Sequence, residues 1–248
     1  MSQLQRLVIA PSQLQAQQIL LTTQQQHYLS RVLRLRSGDR FIAMDGQGQW
    51  WLAVLVHSKA QILETISVQT ELPVSITLLV ALPKGNGFDE VVRCCTELGA
   101  SCIVPVISDR TLLHPSPQKL ERWRRIAIEA AEQSERQIVP TILDTQTFVA
   151  ALSSNFSNTL PVYNKKYICV ARGDSLCLID CLQDKGQITK DRQTIVIATG
   201  PEGGWTETEV EYAIASGYQL VSLGRRILRA VTAPVVALSL VAAAFEGE

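Results

Sequence analysis

Two glycine-centred turns hold the residues whose types and spacing could do chemistry. The first is TGPEGGWTETEVE, Thr199 to Glu211. It follows a β-branched run and sets Glu202 among Gly200, Gly203 and Gly204. A glycine turn between strand and helix commonly cradles phosphate, but this one matches neither G-x-G-x-x-G nor G-x-x-x-x-G-K-[ST]. Pro201 removes a backbone N–H where a phosphate needs donors, and Glu202 places negative charge where a pyrophosphate would arrive. The turn therefore suits a neutral or cationic ligand that comes close to the backbone. The same residues could equally form a tight turn that caps a helix, with Glu202 favoured by the helix dipole. The second turn is LGRRILRAVTA, Leu223 to Ala233. Ile227 and Leu228 stand between arginines, an arrangement that could hold a flat ring while the guanidinium groups face an anionic polymer. Its plainer reading is an apolar loop anchor with solvated charges.

Both turns need a rigid platform, and the sequence from residue 74 supplies one. VSITLLVALP, CIVPVIS, YICVA, TIVIAT and QLVSLG read as short buried strands. GFDEVVRCCTELGAS and KLERWRRIAIEAAEQSER read as helices between them, the first stopped by Gly99. Strands alternating with helices imply a parallel sheet covered on both sides. Thr206 with Glu209 forms a capping box, so the first turn opens a helix at the carboxyl edge of that sheet, where α/β proteins bind ligands. The first 70 or so residues differ. RLVIA, ILLT, RFIAMDG, WWLAVLVH and ILETISVQ are strand-like runs with turn chemistry between them. One helical stripe, Tyr28, Leu29, Val32, Leu33 and Leu35, interrupts them. A small β-barrel with a short helix is expected there, and TELPVS (70–75) reads as the linker.

Composition narrows the class. Among 248 residues, 46% are hydrophobic and 19% charged, which suits packed domains rather than disorder. The longest apolar run, Ala233 to Phe245, is shorter than the roughly 20 residues of a membrane span. The N-terminus lacks a signal-peptide layout, so a soluble, cytoplasmic protein with no membrane partner is expected. Six scattered cysteines and three histidines offer no zinc spacing, and metal binding is not expected. The formal net charge is zero, unlike a general nucleic-acid coat. Residues 1–70 nevertheless carry six basic groups against three acids, and the second turn has three arginines and no acid. Two local basic patches suit a partner gripped at defined points.

Taken in order, RVLRLRSGD, DGQG, PKG, TELGASCIVPVISDR, RWRRIAIEAAEQSERQIVP, TGPEGGWTETEVE and LGRRILRAVTA resemble the ribosomal RNA methyltransferases that act on uridine N3 of small-subunit (16S) RNA, within the SPOUT superfamily. The likeness covers nearly the whole chain. It implies a PUA-like RNA-binding barrel over 1–70 and an α/β methyltransferase domain over 74–248, with a C-terminal trefoil knot at about 194–235. It implies S-adenosylmethionine as methyl donor, the small ribosomal subunit as partner, and a homodimer in which the apolar C-terminal helix packs. A non-catalytic RNA-binding assembly factor with a cofactor-binding domain is the alternative of another class. A small-molecule dinucleotide enzyme is disfavoured by the absent G-x-G-x-x-G.

Carried over position by position, the resemblance assigns Thr199, Gly200, Pro201, Glu202, Gly203 and Gly204, then Leu223, Gly224, Ile227 and Leu228, to the cofactor. Arg226 and Arg229 fall at the reaction pocket. Arg31 and Arg34 in the barrel, with Lys84, Arg110 and Arg136, fall at positions that meet RNA. Three positions depart from the family pattern. Val231 stands where an acid is frequent, Arg225 where proline is frequent, and Cys94 where lysine is frequent. Methylating N3 requires loss of its proton and stabilisation of the resulting anion. Arg226 or Arg229 donating to a uracil oxygen would do the second. With Val231 unable to accept a proton, Glu202 is the remaining acid of the two turns, either as base or as a scaffold ion.

Overall fold

A computed structural model describes residues 4–153, 165–183 and 193–246. Residues 1–3 of the expected range 1–70, and 154–164, 184–192 and 247–248 of the expected range 74–248, lie outside that description. The chain packs as two units. One comprises the residues up to Glu71 with Ile128–Val139; the other comprises Leu72–Ala127 and the residues from Pro140 on.

The first unit is built on a six-stranded sheet. Its order is β1 (Arg6–Val8), β4 (Arg40–Met44), β5 (Trp50–Val56), β6 (Lys59–Ile66), β3 (Gln18–Leu20) and β2 (Leu14–Gln15). Only the β1–β4 pair is parallel. Strand β4 is buried on both faces. Phe41 and Ala43 join a cluster with Ile19, Leu29 and Leu55, while Ile42 and Met44 meet Trp50 on the other side. Helix α1 (Thr23–His27) starts from a Thr22–Gln25 capping box. Its continuation departs from the expected stripe. Residues Tyr28–Val32 form a π turn, in which the Leu33 N–H donates to the Tyr28 carbonyl at 2.9 Å. The wider turn advances the chain by an extra residue, so Leu29 stays buried but Val32 is 59% exposed. Arg34, at φ +58°, then ends the helical path.

Ile128–Val139 belong to this unit through several polar ties. Glu132 Oε1 accepts the Val8 N–H at 2.7 Å, and Gln47 forms a β-bridge with Ile138. Burial pushes the Glu132 carboxyl up to about 7, against the Val8 hydrogen bond that lowers it, with the Glu129 charge raising it further. Arg136 is 3% exposed, and its guanidinium grips Glu71.

The second unit holds an eight-stranded, wholly parallel sheet. Its order is β10 (Gln146–Thr147), β8 (Cys102–Ile107), β7 (Ser75–Ala81), β13 (Thr194–Thr199), β11 (Lys165–Cys169), β14 (Gln219–Ser222) and β12 (Leu176–Cys177), with β9 (Thr141–Ile142) also on β8. Helices α2 (Gly87–Glu97), α3 (Pro117–Gln133, whose residues from Ile128 on belong to the first unit), α4 (Phe148–Leu152), α5 (Leu178–Gln183), α6 (Glu207–Ala215) and α7 (Thr232–Phe245) accompany it. The central strands β7 and β13 are buried almost end to end, which is why both read as unbroken apolar runs. Their α/β alternation is the one expected. The small elements β9, β10, α4, β12 and α5 were not. The boundary between the units, Glu71 to Leu72, falls inside TELPVS, and that segment is packed: Leu72 and Val74 are buried, and a Cβ on Gly99 would sit 2.7 Å from the Leu72 side chain. Among the described residues, no helix is long and apolar enough to cross a membrane.

Candidate active site

Strands β13 and β14 lie on either side of β11, and all three are parallel. Two strand spacings separate them, about 10 Å, so their carboxyl ends release both glycine turns at one edge of the sheet. Strand β13 ends at Thr199, which is fully buried. Its hydroxyl has no hydrogen-bond partner among the described residues. An orphaned buried hydroxyl carries a desolvation cost that a bound polar group would relieve.

The first turn is tight and surfaced by backbone. Gly204 takes φ +70° and its N–H donates to the Pro201 carbonyl at 2.9 Å. A Cβ at Gly200 would lie 3.2 Å from the Trp205 ring, and one at Gly203 would lie 3.0 Å from Arg110 Cδ. Trp205 packs on Phe148, ring centroids 4.4 Å apart, and its indole N–H donates to the Cys169 carbonyl at 3.1 Å. That bond ties the turn to the end of β11.

Neighbouring loops hold the turn from outside. Thr206 caps α6 as the sequence indicates, accepting the Glu209 N–H at 3.2 Å. Glu209 is buried and does more than close that box. One oxygen accepts the Thr206 N–H at 2.8 Å, and the other accepts the Asp109 N–H at 2.9 Å. The Thr206 hydroxyl also donates to Asp109 Oδ2 at 3.0 Å. Arg110 donates to the carbonyls of Gly203 (2.5 Å) and Trp205 (3.4 Å). Glu202 is exposed, and its carboxylate accepts the Lys84 backbone N–H at 2.9 Å. The loops after β7, β8 and β13 are thus joined by hydrogen bonds.

The second turn is held more lightly. Gly224 takes φ +112°, and the Ser222 hydroxyl both accepts its N–H and donates to its carbonyl. Leu223 and Leu228 are half-buried, whereas Ile227 is 67% exposed. Arg225, Arg226 and Arg229 are exposed and have no ion-pair partner among the described residues. The Arg229 carbonyl accepts N–H groups from Thr232 and Ala233, leading directly into α7. Val231 packs toward α2: a Cβ on Gly87 would meet its Cγ1 at 2.6 Å. An apolar side chain fits that place.

Of the residues singled out in the sequence, Thr199–Gly204, Lys84 and Arg110 come together, and Leu223–Arg229 share their sheet edge. Arg31 and Arg34 lie in the first unit, both exposed. Arg136 belongs to the same unit and is enclosed with Glu71 rather than turned to solvent. Trp205, Asp109 and the second partner of Glu209 were missed. An aromatic directly after a glycine pair was the one available signal. Cysteine chemistry finds no support, since burial pushes the Cys102 and Cys169 thiols up to about 12. Among the described residues, no three His, Cys, Asp or Glu side chains cluster as a metal site would need.

The chain resembles known proteins over most of its length. The family described as RNA methyltransferase domain matches residues 70–242, and the RNA methyltransferase PUA domain matches residues 21–64. The ribosomal RNA small subunit methyltransferase E of Synechocystis sp. is 51% identical over 245 residues, covering 97% of this chain and 78% of that one. Its counterpart from Bacillus subtilis is 31% identical over 230 residues, covering 88% and 87%. A solved structure of the Neisseria gonorrhoeae ribosomal RNA small subunit methyltransferase E bound to S-adenosyl methionine aligns with a TM-score of 0.81 at 34% identity, covering 96% of each chain.

Proposed function

Because the chain belongs to the ribosomal RNA small subunit methyltransferase E family, we propose that it transfers a methyl group from S-adenosylmethionine to N3 of a uridine in 16S ribosomal RNA. The observation that carries this reading is the pairing of a backbone-surfaced turn with an arginine-rich turn at one edge of the parallel sheet. The residues present fit the cofactor. A side chain at Gly200 or Gly203 would press on the Trp205 ring or the Arg110 side chain, the Thr199 hydroxyl lacks a partner among the described residues, and Glu202 is an anion suited to a cationic ligand. Thr199–Gly204 with Leu223, Gly224, Ile227 and Leu228 would hold it. When bound, S-adenosylmethionine supplies an electrophilic methyl carbon on a sulfonium.

The protein's own residues do the rest. Ile227 and Leu228 offer apolar surface to a planar group. Arg226 or Arg229 donates hydrogen bonds to a uracil oxygen and holds the negative charge that develops as N3 loses its proton. Two roles stand for Glu202, proton acceptor and tie between loops; its contact with the Lys84 N–H supports the tie. In the second unit, Lys84 and Arg110 are the groups assigned to RNA. In the first, Arg31 and Arg34 are assigned, and Arg136 leaves that set because it is buried on Glu71.

The reading extends to an RNA-binding domain over 1–70, a methyltransferase domain over 74–248 with a knot near 194–235, and a cytoplasmic homodimer acting on the assembled small subunit. Half-buried Val235, Val236 and Leu240 on α7 support an apolar partner surface. Val231 favours one rival, a non-catalytic assembly factor, because it leaves the second turn without an acid. Turnover separates the two. Labelled S-adenosylmethionine is supplied with small subunits lacking the modification, and the RNA is digested to nucleosides. Label in 3-methyluridine supports the proposal; its absence favours the rival.

A further inference from the structure

Arg110 touches the proposed cofactor turn and is also one of the residues assigned to RNA. One of its guanidinium nitrogens, Nη1, donates to the carbonyls of both Gly203 and Trp205, the residues that flank Gly204 in the cofactor turn. Its aliphatic part lies against Gly203 so closely that a Cβ there would come within 3.0 Å of Cδ. The loop that bears it is fixed from the other side, by the Asp109 N–H on the buried Glu209 and by the Thr206 hydroxyl on the Asp109 carboxylate. Yet both acceptors of Arg110 are neutral, and among the described residues no carboxylate pairs with it. The side chain is exposed. A guanidinium has five N–H donors in one plane, so two carbonyls leave donors and the full charge for an outside anion.

We propose that Arg110 is a positioning residue that couples the ligands: it contacts an RNA phosphate while bracing the cofactor turn, so each ligand raises the affinity of the other. The inference rests on the methyltransferase reading above. A phosphate drawn to the free edge of the guanidinium orders the side chain in the orientation that braces Gly203 and Trp205. A turn already ordered by cofactor holds Arg110 in place for the phosphate. Linkage requires the two effects to be equal in size.

The test measures binding of small ribosomal subunits lacking the modification, with and without saturating S-adenosylhomocysteine, to the wild type, Arg110→Lys and Arg110→Gln. Circular dichroism melts check that each variant folds, and the Lys variant keeps the charge if the Gln variant fails. In the wild type, S-adenosylhomocysteine tightens subunit binding by about tenfold, and subunits tighten S-adenosylhomocysteine by the same factor. Arg110→Lys retains much of the subunit affinity but loses most of the coupling, since a single ammonium nitrogen lacks the separate donors by which a guanidinium holds the turn through Nη1 and a phosphate through Nη2 and Nε. Arg110→Gln loses both. Equal weakening of subunit binding by the variants with and without S-adenosylhomocysteine overturns the coupling and leaves an ordinary phosphate contact. A wild type that binds both ligands independently overturns the coupling alone, whereas one that binds no S-adenosylhomocysteine overturns the methyltransferase reading and the coupling together.

Discussion

The two turns at the edge of the parallel sheet are built in opposite ways. In Thr199–Thr206, polar groups are tied to neighbouring loops: Glu202 to Lys84, Gly203 to Arg110, Trp205 to Cys169 and Thr206 to Asp109 and Glu209. In Leu223–Arg229, one serine hydroxyl closes the bend and the arginines reach into solvent without ion-pair partners among the described residues. The contrast separates shape from charge. The first turn is a surface whose shape is set by the loops bonded to it. The second presents cationic groups whose value is that no acid among the described residues neutralises them.

This division sets the order of expected effects. The largest falls on the second turn. Arg229→Ala or Arg226→Ala is expected to lower methyl transfer by about 10²- to 10³-fold. Both should leave thermal unfolding within the roughly 0.5 kcal/mol typical of surface substitutions. A melt that drops together with activity would erase the distinction between the turns.

The first turn should answer differently. Thr206→Ala removes the α6 cap and costs about 1 kcal/mol of stability. It should weaken S-adenosylhomocysteine binding, measured calorimetrically, by no more than about tenfold.

How far the contrast could be read in advance depends on the range of the interactions. Strand β13, helix α6 and the Thr206–Glu209 capping box were legible because a few adjacent residues determine them. The second task of Glu209 was not, since Asp109 is 100 positions away. The exposure of Val32 depends on a π turn that helical spacing does not announce. The burial of Arg136 depends on Glu71, and a basic residue carries no mark of whether it will be enclosed. Two-residue strands such as β9 and β12 are too short to show a period.

The acids sharpen the comparison further. Glu132, in the first unit, is buried and keeps its proton in the fold up to about pH 7, whereas the unfolded group releases it near 4.5. Between those values the folded state binds the extra proton. Stability from this group is therefore full below about pH 4.5, falls as pH rises, and levels off above about 7, with a slope of at most about 1.4 kcal/mol per unit. Urea unfolding across that range, with Glu132→Gln flattening the profile, checks the assignment.

Glu202 is exposed and bound to a backbone N–H, and its substitution should be the mildest. Glu202→Gln keeps an acceptor for Lys84, and turnover within about threefold of wild type identifies it as a tie between loops. A loss near 10²-fold would make it the proton acceptor instead.

The division of labour is tested most directly by a crystal structure of the protein with S-adenosylhomocysteine. The account predicts the adenosyl group between Gly200–Gly204 and Leu223–Leu228, with the Thr199 hydroxyl newly hydrogen-bonded and Arg226 and Arg229 at the open side. Density at any other place, or a ligand touching only one of the two turns, would contradict it.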